Sequence, residues 1–269
     1  MSRIYSMAYL TANGLPPVEA VTLAARLGFD RISFRLLPAG PGDTPPPLLS
    51  DDHLVREVMA ALADTGLTMA DAEMIRLDAD PDIDRFRPFL ARCAQMGARH
   101  VLVAGDDKDR SRIIDTYGRL CELTWDYGLT ADLEFMPWTG IRNIADAREL
   151  VEAAAHPAAA ILFDCLHFDR SDSTLEDISN VPSDMFNYVQ ICDGPVPYDP
   201  NGTAMMVLGR TARLIPGDGG IDLPAIIARL PKHVPVSVEV PNLDLASKLG
   251  LSNLVSRALA LTKELMTDR

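Results

Sequence analysis

Residues 131–168 read ADLEFMPWTGIRNIADARELVEAAAHPAAAILFDCLHF. This stretch contains a short apolar run over 131–136, a segment with helical periodicity over 144–155, and a second apolar run over 160–163. Short apolar runs bounded by turn residues are typical of strands that are buried on both faces, as in parallel sheets. The pattern therefore predicts a strand, a helix and a second strand parallel to the first.

The same alternation continues on both sides of this stretch and gives about eight repeats. Strands are predicted over residues 4–10, 31–36, 68–75, 100–104, 131–136, 160–163, 187–192 and 236–240. Helices are predicted over 17–27, 51–65, 83–96, 111–127, 144–155, 223–230 and 245–266. Glycines suited to a left-handed C-cap follow four of these helices, at Gly28, Gly66, Gly97 and Gly128. The pattern predicts an α/β protein, a single (β/α)8 TIM-barrel domain over residues 1–269.

Composition and charge disfavour several classes of protein. Apolar residues make up 48% of the chain and the mean hydropathy is +0.06, which suits a large core. A formal net charge of -13 disfavours a nucleic-acid partner, because such binding depends on Lys and Arg that neutralise phosphates. No apolar stretch approaches the roughly 20 residues of a membrane span, and the first residues lack the apolar region of a signal peptide. We therefore expect a cytoplasmic protein that does not enter a membrane.

The four cysteines form no C-x-x-C pair, which disfavours a zinc ribbon or a redox motif. Cys93 and Cys121 fall within predicted helices and are expected to pack in the core. Cys165 and Cys192 lie close to predicted strand ends, where they could line a site, but packing is the favoured interpretation.

Two segments interrupt the alternation of strands and helices. Residues 37–49 are rich in Pro and Gly, and residues 193–220 form a long connection after the seventh predicted strand. Long connections without regular structure are usually functional or disordered. Both segments follow strands, so we expect them on the face where the active sites of TIM barrels lie.

Four polar residues stand at or near the carboxyl ends of the last four predicted strands: Glu134, Asp164, Gln190 and Glu239. In a barrel these ends converge at one side of the mouth. Each acidic residue alone could instead cap the helix that follows it. Three carboxylates buried together, however, are costly unless a cation compensates their charge. The set therefore predicts a site for one divalent metal ion, and its oxygen donors favour Mn²⁺ or Mg²⁺ over zinc.

Five further residues are candidates for contact with a substrate. His167 follows Asp164 in DCLHF, and Arg213 opens RLIPGDG, a tight loop that could direct its guanidinium into the mouth. Arg35 and Arg76 lie near the ends of the second and third strands, with solvated surface arginine as the alternative. Trp138 could form a wall of the pocket or simply cover the end of the barrel.

These residues suggest a type of chemistry. A metal ion that polarises a carbonyl lowers the cost of removing the proton from the adjacent carbon, and a nearby carboxylate can accept that proton. Glu134 and Glu239 lie on strands five and eight, so they could approach a substrate from different sides as base and acid. Such an arrangement serves isomerisation, epimerisation or elimination.

The motifs LEFMPW, FDCLHF, VQICDGP, RLIPGDG and VEVPN, in this order, resemble those of the xylose isomerase-like TIM barrel superfamily of sugar phosphate isomerases and epimerases. The resemblance implies a metal ion held by Glu134, Asp164, Gln190 and Glu239, with His167 and Arg213 in contact with a small keto or hydroxy substrate. Sugar epimerases of this superfamily commonly carry His where this chain has Gln190. A Glu-Asp-Gln-Glu set is instead typical of the 3-dehydroshikimate dehydratase branch, in which Arg76 would meet a carboxylate.

A second departure concerns strand two, which ends in an acidic residue in both branches but in Arg35 here. We expect an isomerase or epimerase first, and a dehydratase of 3-dehydroshikimate or of a keto-inositol as the alternative. A nuclease of the endonuclease IV type needs many His ligands and a basic surface, and the five His and the net charge of -13 disfavour it. A barrel that binds a ligand without catalysis remains an alternative of another class, and a homo-oligomer is compatible with this fold.

Overall fold

The computed structural model describes residues 3–12, 14–80 and 82–267. Within these residues, eight parallel strands form a closed barrel in the order in which they occur along the chain. The strands are β1 Tyr5–Met7, β2 Arg31–Arg35, β3 Thr68–Leu77, β4 His100–Gly105, β5 Thr130–Glu134, β6 Ala159–Asp164, β7 Phe186–Ile191 and β8 Val236–Val238. The barrel closes because β1 pairs with β8 as well as with β2. The predicted (β/α)8 TIM barrel is confirmed.

Helices surround this barrel in the part of the chain that is described. They are α1 Pro17–Leu27, α2 Asp52–Thr65, α3 Arg87–Gln95, α4 Arg110–Asp126, α5 Ile144–Ala154, α6 Cys165–Arg170, α7 Leu175–Ser179, α8 Gly202–Thr211, α9 Leu223–Arg229, α10 Leu243–Leu249 and α11 Leu251–Thr267. Gly28, Gly66, Gly97 and Gly128 have φ between 71° and 82°, the left-handed conformation expected after α1 to α4. None of the described helices has the length and apolar character that a membrane span requires.

Three expectations about helices were wrong. The predicted helix over 245–266 is two helices, α10 and α11, which are separated by Gly250 with φ 80°. The connection over 193–220 contains the ten-residue helix α8, which begins where the Asn201 side chain accepts hydrogen bonds from the backbone N–H groups of Thr203 and Ala204. The short helices α6 and α7 between β6 and β7 were not predicted, because neither is long enough to show helical periodicity. Residues 37–49 contain no helix or strand, as expected.

Most of the hydrophobic core lies between the outer face of the barrel and the helices. A smaller apolar cluster fills the inside of the barrel and contains Met74, Leu102, Ala104, Leu162 and Tyr188. Inward-facing polar residues lie at the carboxyl ends of the strands, above this cluster. The fold thus places the polar residues of the later strands on a packed apolar floor.

Candidate metal and substrate site

The predicted ligands all lie at the carboxyl ends of neighbouring strands and are buried. Glu134 is the last residue of β5, and Asp164, the last residue of β6, is paired in register with Gln190 of β7. Glu239 follows β8 directly. Strand order alone therefore brings these side chains to one side of the barrel mouth.

Asp164 makes two kinds of contact with its two carboxylate oxygens. Oδ1 accepts a hydrogen bond from the backbone N–H of His167 at 2.9 Å and so caps α6. Oδ2 accepts one from Nη1 of Arg213 at 2.5 Å. Asp164 therefore caps the helix that follows it, which was the alternative interpretation of an acidic residue at a strand end. Its second oxygen, Oδ2, still faces the site.

His167 contributes to the cluster in a way that the predicted ligand set did not include. Donor atoms of Glu134, Asp164 and His167 lie within 4.8 Å of one another, close enough to hold one metal ion. Nε2 of His167 is 3.6 Å from Oε1 of Glu134. Burial lowers the pKa of His167 to about 4, so its imidazole is neutral near pH 7 and has a lone pair available for a metal ion or a donor group.

Arg213 is buried between two of the predicted ligands. Its Nη1 is 2.5 Å from Oδ2 of Asp164 and 2.8 Å from Oε2 of Glu239, the latter an ion pair without the alignment of a hydrogen bond. Its Nε donates to the carbonyl oxygen of Gly209 in α8 at 2.8 Å. Arg213 was predicted to point into the mouth, and the structure places its guanidinium among the carboxylates at the base of the mouth.

The three carboxylates differ in the direction of their pKa shifts. Burial raises the pKa of Asp164, but Arg213 and His167 outweigh it and lower that pKa to about 2. Burial, followed by repulsion from Asp164, raises the pKa of Glu134 well above its usual value. Burial also raises the pKa of Glu239, against the attraction of Arg213. Asp164 is therefore the group most firmly held as an anion, whereas burial favours the protonated forms of Glu134 and Glu239.

Glu73 is a buried residue of β3 that the sequence analysis did not single out. Its Oε2 accepts a hydrogen bond from Nη2 of Arg35 at 2.5 Å, and Nη1 of Arg35 lies 3.2 Å from Asp43. The guanidinium of Arg35 also lies over the ring of Tyr9 at 4.8 Å. Arg35, a candidate substrate contact, is thus held by protein partners. A glutamate inside an apolar strand was the signal in the sequence that could have identified this pair.

Arg76 and Trp138 occupy the outer part of the mouth. Two of the guanidinium nitrogens of Arg76, Nε and Nη2, donate to Asp106 at 2.6 Å, and the pair is about one quarter exposed. The ring of Trp138 meets the ring of His167 edge-on, with centroids 5.0 Å apart. Arg76 is therefore neither free nor fully solvated, and Trp138 forms a wall above the imidazole.

A cleft opens above the cluster and continues to solvent. Seven of the nine predicted site residues line it, namely Arg35, Arg76, Glu134, Trp138, His167, Arg213 and Glu239. Asp164 and Gln190 are fully buried and do not line it. Cys165 and Cys192 are buried and do not line the cleft, although Sγ of Cys192 is 3.4 Å from Nη1 of Arg213.

The loop that carries Arg213 is organised by Asp193, which the sequence analysis also missed. The carboxylate of Asp193 accepts hydrogen bonds from four backbone N–H groups, at 2.8 to 3.1 Å, those of Gly194, Gly217, Gly219 and Ile221. The backbone of Asp193 also pairs with that of Leu214. A Cβ on Gly219 would come within 2.3 Å of Oδ1 of Asp193, so only glycine fits there. The glycines of RLIPGDGG were the signal for such a compact loop.

The buried charges and donors at the mouth fit a divalent cation. Four buried carboxylates face two buried guanidiniums, namely Glu73, Glu134, Asp164 and Glu239 against Arg35 and Arg213. In addition, Oε1 of Gln190 is buried and accepts no hydrogen bond from the described residues. An excess of buried carboxyl groups over guanidiniums and an unused amide oxygen are features that one divalent ion with oxygen ligands would satisfy.

Residues 21–264 match the family model described as xylose isomerase-like TIM barrel. A 3-dehydroshikimate dehydratase of Pseudomonas putida is 26% identical over 205 residues, which cover 70% of this chain but only 31% of that protein. This chain thus spans about a third of the length of that relative.

Solved structures share the fold at low sequence identity. The IOLI protein with a bound zinc atom superposes with a TM-score of 0.83 at 18% identity, over 98% of each chain. The D-allulose 3-epimerase from Methylomonas sp. in complex with D-allulose does so with a TM-score of 0.71 at 17% identity, also over 98% of each chain. At such identities the likeness establishes the architecture alone.

Proposed function

Because the chain belongs to the xylose isomerase-like TIM barrel family, we propose that it is a divalent-metal-dependent isomerase or epimerase that acts on a small keto or hydroxy substrate such as a sugar or sugar phosphate. The observation that carries the proposal is the buried group of Glu134, Asp164 and His167, whose donor atoms lie within 4.8 Å of one another at the base of an open cleft. The buried Glu239 and the unused amide oxygen of Gln190 lie at the ends of the neighbouring strands. Solved epimerases with this fold support the same class of reaction.

The proposed ligands are Glu134, Asp164, Gln190 and Glu239, with the neutral imidazole of His167 close enough to contribute. When bound, the divalent ion would polarise a substrate carbonyl and stabilise the negative charge that develops on its oxygen. Oxygen donors dominate the set, which favours Mn²⁺ or Mg²⁺.

Glu134 and Glu239 are the proposed proton-transfer groups. Burial raises both pKa values, so each carboxyl group holds a proton more readily than an exposed glutamate does. Because they belong to β5 and β8, a substrate above the cluster would lie between them. One carboxylate would take the proton from the carbon next to the carbonyl, and the other carboxyl group would deliver a proton to the opposite face or to the neighbouring oxygen.

Two further residues are proposed to orient the substrate. The guanidinium of Arg213 can donate to carbonyl or hydroxyl oxygens. The indole of Trp138 supplies an apolar wall that limits the access of water. Arg35 and Arg76 line the outer cleft, where an anionic group of a substrate would meet positive charge despite the overall charge of -13.

A second candidate is a dehydratase of the 3-dehydroshikimate type. Two observations favour it, namely the similarity to the Pseudomonas putida enzyme and the presence of Gln190 instead of His. The first step, proton removal next to a carbonyl, would be the same. The second step would be loss of a hydroxyl group as water, with the acid that protonates it drawn from the same pair of glutamates.

Metal content and proton exchange together test the proposal. We expect stoichiometric Mn²⁺ or Mg²⁺ in the purified wild-type protein and incorporation of deuterium into a keto-sugar in deuterated water. Glu239→Gln should abolish exchange, whereas Glu264→Gln, a change of an exposed glutamate in α11, should retain it. Loss of water from 3-dehydroshikimate would instead identify the dehydratase.

Two results would contradict the enzymatic proposal. Absence of divalent metal binding even when the ion is supplied in excess would mean that the cluster is structural. Tight binding of a sugar without any exchange or water loss would favour a barrel that binds a ligand without catalysis.

A further inference from the structure

The guanidinium of Arg213 occupies the position of a cation. A single nitrogen, Nη1, lies 2.5 Å from Oδ2 of Asp164 and 2.8 Å from Oε2 of Glu239. All three side chains are buried, so solvent screens these charges little. The arrangement neutralises part of the negative charge at the base of the mouth with a positive charge from the chain itself.

The same two oxygens belong to the proposed metal ligands. Mg²⁺ lies about 2.0–2.1 Å from its oxygen ligands. A guanidinium nitrogen that stayed in contact with both carboxylates would therefore be only a few Å from the ion. Two positive charges at that distance in a buried site repel each other strongly. The metal ion and the guanidinium of Arg213 therefore compete for the same two carboxylate oxygens.

We propose that Arg213 is an internal counter-cation that a divalent metal ion displaces, and that its displaced guanidinium turns into the cleft, where it binds an oxygen of the substrate. The inference rests on the metal site proposed above and assigns Arg213 a positioning role that depends on the metal ion. Substrate binding is then ordered after metal binding, because the guanidinium is engaged at the base of the mouth until the ion arrives.

The backbone of Arg213 is fixed, so that the movement is confined to its side chain. Its N–H donates to the carbonyl oxygen of Pro241 at 3.1 Å, and its carbonyl oxygen accepts a hydrogen bond from Nδ2 of Asn242 at 2.7 Å. The neighbouring residue Leu214 pairs with Asp193 through two backbone hydrogen bonds. These contacts hold the base of the side chain while leaving its terminal atoms beside the cleft that they already line.

The side chain is also linked to α8. Nε of Arg213 donates to the carbonyl oxygen of Gly209 at 2.8 Å, and Met206, Gly209 and Arg210 of the same helix line the cleft. A change of the guanidinium position alters this contact. Metal binding is therefore communicated to the wall of the cleft as well as to its base.

Crystal structures with and without Mn²⁺ test the displacement directly. Anomalous scattering locates the ion, and we expect Nη1 of Arg213 to leave hydrogen-bonding distance of both Asp164 and Glu239 when the ion is bound. In the metal-free crystal the contacts described above should remain. An ion bound among the carboxylates with Arg213 still touching both of them would overturn the inference.

Calorimetric titration with Mn²⁺ gives an independent measure. Arg213→Met keeps the bulk of the side chain but removes the charge that has to be displaced, so its Mn²⁺ affinity should exceed that of the wild type on the order of tenfold. Arg213→Lys should bind nearly as the wild type does. Arg170→Met is the matched control, because Arg170 is also buried and paired with a carboxylate, that of Asp169, outside the cluster; it should leave the affinity unchanged.

The outcomes separate this inference from the metal site itself. Equal or weaker Mn²⁺ binding by Arg213→Met would overturn the inference while leaving the metal site in place. Absence of binding by both the wild type and Arg213→Met would overturn the metal site and the inference together. If Arg213→Met does not fold, the crystal structures of the wild type still decide the question.

Discussion

Asp164 and Gln190 face each other in register at the ends of β6 and β7, yet only Asp164 has hydrogen-bond partners for its side-chain oxygens among the described residues. An unsatisfied buried polar oxygen costs about 1–3 kcal/mol. Such a cost is ordinarily offset by a partner. The amide oxygen of Gln190 is therefore free to accept a ligand at the base of the mouth.

Replacement of this amide should weaken metal binding. Gln190→Leu removes the oxygen and puts an apolar side chain in place of the amide, and we expect the affinity for Mn²⁺ to fall about 10- to 100-fold, as for other groups that tune a metal site. Equilibrium dialysis or calorimetric titration measures the change. Asn187→Leu, on the same strand but at its other end, should not alter the affinity; an unchanged affinity in Gln190→Leu would remove Gln190 from the site.

Much of the fold could be predicted from the sequence because each strand and helix is a local pattern. The run 131–136 corresponds to β5 and the helical pattern over 17–27 to α1, and glycine after α1 to α4 ended the helices as expected. Helix α8 was missed because residues 202–211 follow a segment with three prolines, 195–200, that suggests a loop. The final helix was predicted as one because Gly250 alone interrupts its apolar face.

The positions of the proposed ligands at strand ends could be predicted from the sequence, whereas the ion pairs around them could not. The positions of Glu134 and Asp164 follow from strand order, since all parallel strands end at the same face of the barrel. The pairing of Arg35 with Glu73, and of Arg213 with Asp164, depends on side-chain directions across sequence separations of 38 and 49 residues. No periodicity encodes such contacts.

Trp138 should report the entry of a ligand into the cleft. The chain has two tryptophans, and the other, Trp125, is 54% exposed in α4. In Trp125→Phe, the remaining indole lies against His167 in the cleft wall, so a bound ligand changes its surroundings. We expect a saturable change in the fluorescence of this variant on titration with a keto-sugar or 3-dehydroshikimate in the presence of Mn²⁺.

The complementary variant is the control for this measurement. Trp138→Phe keeps only Trp125, which is remote from the lining of the cleft, and its emission should not respond to the same titration. A response from Trp125 alone would mean that the ligand binds elsewhere or that the whole barrel changes.

Asp71 should make the stability of the fold depend on pH. It is buried inside the barrel on β3, its Oδ1 accepts a hydrogen bond from the hydroxyl of Ser33, and burial together with the charge of Glu73 raises its pKa to about 7. The folded protein therefore keeps a proton that the unfolded chain releases at about pH 4. The contribution of Asp71 to the free energy of unfolding is therefore largest below about pH 4. It falls by an amount on the order of a few kcal/mol as the pH rises to about 7.

Urea unfolding between pH 4 and 8 measures this slope. Asp71→Asn should flatten part of it, because the amide stays neutral throughout. The raised pKa values of Glu134 and Glu239 act in the same direction as that of Asp71, whereas the pKa of His167, lowered from 6.5 to about 4, acts in the opposite direction. The exposed Asp64→Asn should keep the slope of the wild type. A slope in Asp71→Asn as steep as in the wild type would show that Asp71 does not carry a raised pKa.

Asp193 should prove to be the residue that holds Arg213 in reach of the site. Its Oδ1 accepts from the N–H groups of Gly194 and Ile221, and its Oδ2 accepts from those of Gly217 and Gly219. Asp193→Ala leaves these four donors without their acceptor, so the free energy of unfolding should fall by about 3 kcal/mol or more. Asp193→Asn keeps one acceptor oxygen, so its loss should be smaller, and the exposed Asp184→Asn should have no comparable effect.

The same loop provides a test that leaves the carboxylate in place. In Gly219→Ala the added Cβ would come within 2.3 Å of Oδ1 of Asp193 and 2.5 Å of the carbonyl oxygen of Gly194, so the loop has to shift. Since Leu214 pairs with Asp193, the shift reaches Arg213 through its neighbour. Asp193→Ala and Gly219→Ala should therefore change the affinity for Mn²⁺ as well as the stability. A loss of stability alone would mean that the loop supports the fold without positioning Arg213.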